Sequence, residues 1–394
     1  MIHPIPRSAH LTPSLLAVLA CIALSGCASS APSAGGSTAA TTANASPGLQ
    51  TVKVELTNAG CQPVPASVPA GPTNFEITNV NANLVFELEV KQGDHILGER
   101  ENVLPGMAVT LLLNLPAGTY ALHCPIAPAD ASLSVTPSSI AVSGSLVPLD
   151  VLNAQAVTDY TKYVQGQVAS LVSSTTLFAV AVEAGDVTKA KALYAPARAL
   201  YERIEPVAES FGDLDPDIDA RINDVADPTQ WTGFHRIEQA LWANNTTAGM
   251  GPIAKKLVAD VLQLQTLVES TTFQPNEIAN GATSLLDEVS KSKITGEEER
   301  YSHIDLVDFQ ANVDGSQAAF TALEPSVTLV DPNLAASIKQ QFSLLDAALA
   351  NYGSGSSFAL YGTLSTSEIR TLASGVDALA EPLSKVAVAI CGCR

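Results

Sequence analysis

The residues best suited to chemistry in this chain lie in Trp231–Trp242, which reads Trp-Thr-Gly-Phe-His-Arg-Ile-Glu-Gln-Ala-Leu-Trp. His235 and Glu238 are three apart, and on a helix such residues share a face. An imidazole nitrogen and a carboxylate oxygen would then point into one space, as two ligands of a divalent or ferric ion must. Ile237, Leu241 and Trp242 give the same helix an apolar stripe, which turns that face inward. The spacing alone is a weak signal, because a core histidine held by a neighbouring glutamate is common. The surrounding acids raise it.

Glu202 and Glu205, in Tyr-Glu-Arg-Ile-Glu-Pro, are again three apart on a helix. Asp213, Asp215, Asp217 and Asp219 crowd the loop that follows. Carboxylates of one helix facing a His-x-x-Glu of another are the way helical bundles build metal sites. Each acid also has a plainer use. Glu202 and Glu205 could form a solvated face or pair with Arg198 or Arg203, and the aspartates could serve turns and caps. The metal-ligand candidates are therefore His235, Glu238, Glu202, Glu205 and Asp219. A second candidate group lies upstream: Glu87 with Glu89, then Glu99 and Glu101, near Cys124.

Two kinds of element must position these groups. Between residues 49 and 145 the hydrophobic period is two. Thr51–Thr57, Asn74–Val80, Leu84–Lys91, Ala108–Leu115 and Gly118–Cys124 alternate between Pro- and Gly-rich turns, which predicts a β-sandwich. Beyond Pro148 the period becomes 3.6, and helices are expected near 150–184, 187–211, 230–244, 251–271, 275–292, 297–324, 332–351 and 366–390. Asp331-Pro332 and Ser365–Glu368 carry helix-start signals. Residues 150–394 are thus expected to form an all-α domain of two four-helix bundles.

The chain has 39 acidic against 20 basic residues and a formal charge of −19. Nucleic acid is excluded as a partner, since phosphate binding needs clustered Lys and Arg. An acidic surface attracts cations instead. At the N-terminus, the apolar run 14–24 is too short to span a bilayer. It follows Arg7 and precedes Leu-Ser-Gly-Cys27, which reads as an export signal over residues 1–26. The cleavage region resembles a bacterial lipobox, implying lipid on Cys27 and a membrane anchor. Residues 27–48, with almost no apolar bulk and no charge, read as a flexible linker. The protein is therefore expected on the outer side of a membrane.

Outside the cytoplasm, cysteines pair. Cys61 and Cys124 could form a disulfide joining the first strand to the last, or Cys124 could join the nearby carboxylates in a metal site. The stretch Pro116–Pro125, Pro-Ala-Gly-Thr-Tyr-Ala-Leu-His-Cys-Pro, resembles the closing strand of cupredoxins, where the cysteine is a copper thiolate. Blue copper needs two histidines besides that cysteine. This domain offers only His95, His123 and Met107, with His123 on the opposite strand face, which argues against such a site.

Tyr201–Pro206, Phe211–Pro216 and Thr232–Trp242 together closely resemble the iron-uptake lipoproteins of the EfeO type. So do Ile294–Gly315, Ala380–Val386 and the Glu-Arg-Glu-Asn-x-x-Pro-Gly stretch from Glu99. The resemblance implies a cupredoxin-like module before an imelysin-like helical domain. It further implies capture of iron, as Fe2+ or Fe3+, at the His-x-x-Glu motif and nearby acids, with copper or zinc as competing ions. The implied partners are a membrane iron permease and a haem peroxidase of the same system. Glu297–Arg300, Asp305 and Asp308 are expected to support the site, and Cys391-Gly-Cys393 departs from the pattern. No enzyme activity is expected: a zinc peptidase would need a second histidine within a turn. The alternatives are such a peptidase, or copper redox chemistry in the β domain.

Overall fold

The computed structural model describes residues 48–125, 127–138 and 148–393. The export signal, Cys27 and nearly all of the 27–48 linker lie outside the described residues.

The N-terminal domain is a sandwich of nine strands among the described residues. These are β1 (Gln50–Thr57), β2 (Gly60–Val64), β3 (Ser67–Pro69), β4 (Gly71–Asn79), β5 (Leu88–Gln92), β6 (His95–Arg100), β7 (Ala108–Leu115), β8 (Gly118–His123) and β9 (Ala131–Thr136). One sheet runs β2-β1-β4-β7 and the other β3-β9-β8-β5-β6. Alternation drives this arrangement. In β1, Val52, Val54 and Leu56 are wholly buried while Thr51, Lys53 and Glu55 face water. Each such aliphatic side chain contributes about 1.5–3 kcal/mol on leaving water. Cys61 and Cys124 are joined by a disulfide with their Cα atoms 6.2 Å apart, tying β2 to the end of β8.

Ten α-helices follow among the described residues: α1 (Pro148–Glu183), α2 (Val187–Glu202), α3 (Leu214–Asp219), α4 (Gly233–Trp242), α5 (Gly251–Ser270), α6 (Pro275–Lys291), α7 (Asp305–Val330), α8 (Pro332–Leu349), α9 (Thr366–Leu383) and α10 (Val386–Ile390). Helices α1, α2, α4 and α5 pack as one ring of four, and α6 to α9 as another. One continuous apolar core runs through both, with α1 and α2 resting on α7. Asp331 caps α8 through the N–H groups of Asn333 and Leu334, and Ser365 with Glu368 closes a capping box on α9.

Three segments near the candidate site differ from the sequence expectation. Helix α2 stops at Glu202, and residues up to Phe211 form two 3-10 turns, since Pro206 has no N–H to continue the helix. The acidic loop contains the short α3. Residues 297–304, expected as the start of a helix, form a loop instead; the Tyr361 N–H holds the carbonyl of His303, whose φ is +60°.

Two glycines let that chain reversal sink into the helices. A Cβ on Gly281 of α6 would fall 1.7 Å from the Pro206 carbonyl oxygen, and one on Gly315 of α7 would fall 2.4 Å from that of Arg203. The sandwich docks on α6: Asn280 donates to the Leu112 carbonyl at 2.8 Å, and Arg100 donates to Ser284 Oγ at 2.9 Å. His95 Nε2 meets Glu277 Oε1 at 2.7 Å.

Gly281→Ala is expected to force α6 away from the Glu205–Val207 turn at a cost of about 1–3 kcal/mol. That corresponds to a fall of about 5 °C in Tm; an unchanged melting curve would contradict the close packing. Cys61→Ser with Cys124→Ser is expected to lower stability by about 2–4 kcal/mol in denaturant titration, because the unfolded chain loses a cross-link.

Candidate metal centre

At the middle of the helical domain sits a guanidinium with no access to water. Arg198, on the last turns of α2, is 0% exposed and heads the fully buried side chains by size. Its Nη2 lies 2.5 Å from Glu202, and its Nε lies 2.8 Å from Glu299 and 3.2 Å from Asp308. It also pairs closely with Asp219 and Glu298. Five carboxylates from α2, α3, the 297–304 loop and α7 therefore converge on one cation. Burial of so many like charges is tolerable only with such a partner.

Helix α4 brings His235 to the edge of this cluster. Gly233 opens the helix at φ +80°, and a Cβ there would lie 2.2 Å from the Ile218 carbonyl oxygen. Only glycine lets α4 start so close to α3. Below it, Phe178, Tyr194, Phe234 and Trp242 interlock, with ring centroids 5.2–6.1 Å apart. Trp231 Nε1 donates to the Ala220 carbonyl at 2.7 Å, fixing the approach of the chain.

The imidazole of His235 is 2% exposed. Its Nε2 has no hydrogen-bond partner and stands 3.5 Å from Glu298 Oε1 and 3.9 Å from Asp219 Oδ1. Ligand atoms of Asp219, His235 and Glu298 all lie within 4.8 Å of one another, the spacing of a cation's donors. Burial and the Arg198 charge oppose protonation of this ring, but the Glu238, Glu298 and Asp219 carboxylates outweigh them and raise His235 to about 9. Asp219 is pushed up to about 6, chiefly by burial. For Glu298 burial works the same way, yet Lys293, His235, Arg198 and Arg221 overcome it and hold its carboxyl well below the usual range.

Glu238 has a different place from the one its spacing suggests. Its Oε1 accepts the N–H groups of Tyr301 and Ser302 at 2.8 and 2.7 Å, and its Oε2 lies 3.4 Å from His235 Nδ1. It grips the 297–304 loop and orients the imidazole from behind, leaving Nε2 to face Glu298 and Asp219. A carboxylate behind a metal-binding histidine commonly does this. Glu202 and Glu205 come together with Asp219 in a second grouping. Their other partners are Lys293, 3.3 Å from Glu202, and Asn312, which donates to Glu202 at 2.7 Å. Glu205 contacts the same two groups. Of the remaining expected neighbours, Asp305 accepts the Glu299 N–H at 3.1 Å, and Asp308 lies on the far side of Arg198.

Glu298 was expected only within the supporting segment Glu297–Arg300, and Arg198 only as an ion-pair partner for Glu202 or Glu205. One signal was available for the second: Arg198 and Glu202 are four apart on an amphipathic helix.

The centre opens into a cleft of about 790 Å³ between the helices and the sandwich. On the far wall, Glu87, Glu89 and Glu99 bring ligand atoms together, and Glu99 and Glu101 meet Glu209 from the helical side. Burial, then the neighbouring carboxylates, pushes Glu87 up to about 9, and burial pushes Glu99 up to about 7. Cys124 takes no part: its sulfur is bound to Cys61 and offers no thiolate. Of the second candidate group, the carboxylates are brought together and the cysteine is not.

Comparison with known proteins agrees with both halves of this architecture. A family model described as imelysin matches residues 156–386, and one described as a cupredoxin-like domain matches residues 17–135. The iron uptake system component EfeO of Escherichia coli strain K12 is 40% identical over 339 residues, covering 85% of this chain and 90% of that protein. Proteins of the same name in Shigella flexneri and Shigella sonnei match to the same extent. A crystal structure described as an iron-regulated protein A precursor, from Parabacteroides distasonis, superposes with a TM-score of 0.53. It is 17% identical and covers 63% of this chain and 97% of its own, a likeness of fold. With its cupredoxin-like sandwich, its imelysin domain and this extent of identity, the chain belongs to the EfeO family.

Proposed function

We propose that this protein captures iron outside the cytoplasmic membrane, at the centre formed by His235, Asp219 and Glu298, and delivers it to a membrane permease. One observation carries the reading: the buried Nε2 of His235 has no partner and faces two carboxylate oxygens at 3.5 and 3.9 Å. A lone imidazole with oxygen donors suits Fe2+ or Fe3+. Glu202 and Glu205, beside Asp219, stand ready as further donors, and Glu238 sets the tautomer and angle of the ring. The relatives are named for a part in iron uptake, and that name supports iron as the cargo. Copper and zinc compete at such a donor set by the Irving–Williams order. A haem peroxidase of the same system completes the expected partners, and lipid at Cys27 would hold the protein at the membrane. No helix among the described residues is long and apolar enough to cross one.

Neither alternative gains from the geometry. Among the described residues, each potential ligand cluster holds at most one histidine, where a zinc peptidase uses two beside its glutamate. A copper thiolate at Cys124 is precluded by the disulfide.

Isothermal titration of iron into His235→Ala and Glu298→Gln is expected to show affinities at least about a hundredfold weaker than the native chain. Glu238→Gln, which disturbs the orientation of the ring and the grip on the 297–304 loop without removing a proposed ligand, should lose about tenfold. Native-like binding by His235→Ala would remove the basis of the proposal. The pH dependence follows from His235. In the empty centre the ring is raised to about 9 and carries a proton at neutral pH, and a metal must displace it. Iron affinity is therefore expected to rise from pH 6 to pH 8, by up to about tenfold per unit, with proton release measurable in weak buffer. In the empty protein the sign is opposite. The His235 ion pairs stabilise the fold fully below the ring's ordinary value and are lost as pH rises through about 9.

A further inference from the structure

The oxygen atoms that face His235 are the same ones that hold Arg198. Asp219 Oδ1 pairs with Arg198 Nη1, and Glu298 Oε1 pairs with Arg198 Nη2. A cation bound to those oxygens and to His235 Nε2 must share them with the guanidinium. A metal–oxygen bond of about 2.1 Å and a charge-assisted hydrogen bond of about 2.8 Å bound the separation of metal and guanidinium nitrogen at roughly 5 Å. Arg198 has no other place to go. It is wholly buried, and its remaining nitrogen contacts, to Glu202, Glu299 and Asp308, hold it on the inner side.

We propose that Arg198 is the specificity-determining residue of this centre, a fixed counter-charge that favours divalent over trivalent cations. The proposal rests on the capture site above and concerns its selectivity. Repulsion between a fixed unit charge and a bound ion grows in proportion to the charge on the ion. At about 5 Å and an effective dielectric of about 20, each added unit of cation charge changes affinity by about a hundredfold. Screening from the open cleft lowers this, and an effect of at least about tenfold is expected. Without Arg198, the carboxylates around His235 would favour the most highly charged ion available. With it, a trivalent ion loses more than a divalent one, and the held ion stays exchangeable.

The test uses two redox-inert probes, Zn2+ and Ga3+, each supplied from nitrilotriacetate buffer, and reads the ratio of their affinities. Arg198→Met is expected to raise the Ga3+ to Zn2+ ratio about tenfold or more. Arg198→Lys, which keeps the charge but loses the fork, should leave the ratio within about threefold of the native value while weakening both ions. Should Arg198→Met fail to fold, the double variant Arg198→Met with Glu299→Gln also removes the buried acid that would lose its Arg198 partner, and carries the same expectation. Glu299 contacts Tyr194 and Ser302 and lies outside the His235 grouping. A ratio unchanged in the charge-removing variants, or both ions lost together there, would overturn the proposal by reducing Arg198 to a scaffold. His235→Ala separates the two claims. If it binds both probes like the native chain, the capture site itself is wrong; if it loses both while the Arg198 ratio stays flat, only the selectivity role fails.

Discussion

The structure depends on the pairing of Arg198 with five buried carboxylates. Glu202, Asp219, Glu298, Glu299 and Asp308 arrive from four separate segments and share that one cation. Removing one member of a buried ion pair typically costs about 3–5 kcal/mol, because the other is left uncompensated. That constraint explains the local irregularities. Helix α2 must stay helical through Glu202 for Arg198 to meet it, Gly281 and Gly315 admit the turn that follows, and residues 297–304 leave the helical path and bring Glu298 and Glu299 inward.

In the proposed reading, the same pairing prepares the centre for a second cation. Carboxylates held by Arg198, Lys293 and Arg221 would already be in place before a metal arrives. His235 is added from a helix whose start is fixed by contact with the Ile218 backbone, so its Nε2 meets the cluster at one angle. The cleft beyond, walled by the acids of β5 and β6 and by Glu209, concentrates cations at the mouth. The docking of the sandwich on α6 through Asn280, Arg100 and His95 builds that cleft, which neither half forms alone.

Much of this was legible in the sequence. Period-two alternation marked the sandwich, since each strand has one face in the core, and period 3.6 with proline and capping signals marked most helix starts. Asp219 comes together with His235 in one grouping and with Glu202 and Glu205 in another. The reading ran short where a residue's role depends on distant backbone. Glu238 shares a helix face with His235, as the spacing says, but its Oε1 takes the N–H groups of Tyr301 and Ser302, some sixty residues on, and its Oε2 lies behind the ring at Nδ1. Glu298 looked like one acid in a run of three at a helix start. Its segment is a loop because His303 is pinned by Tyr361, and nothing local signals that contact. Arg198 was visible as a partner for one glutamate and not for five, because local spacing reports only the neighbour four residues away.

The most direct measurement is anomalous diffraction at the iron edge from crystals of the iron-loaded protein. A peak about 2.1 Å from His235 Nε2, with carboxylate oxygens of Asp219 and Glu298 at similar distance, is the expected result. A peak confined to the Glu87, Glu89 and Glu99 wall of the cleft, with His235 Nε2 left unliganded, would contradict it.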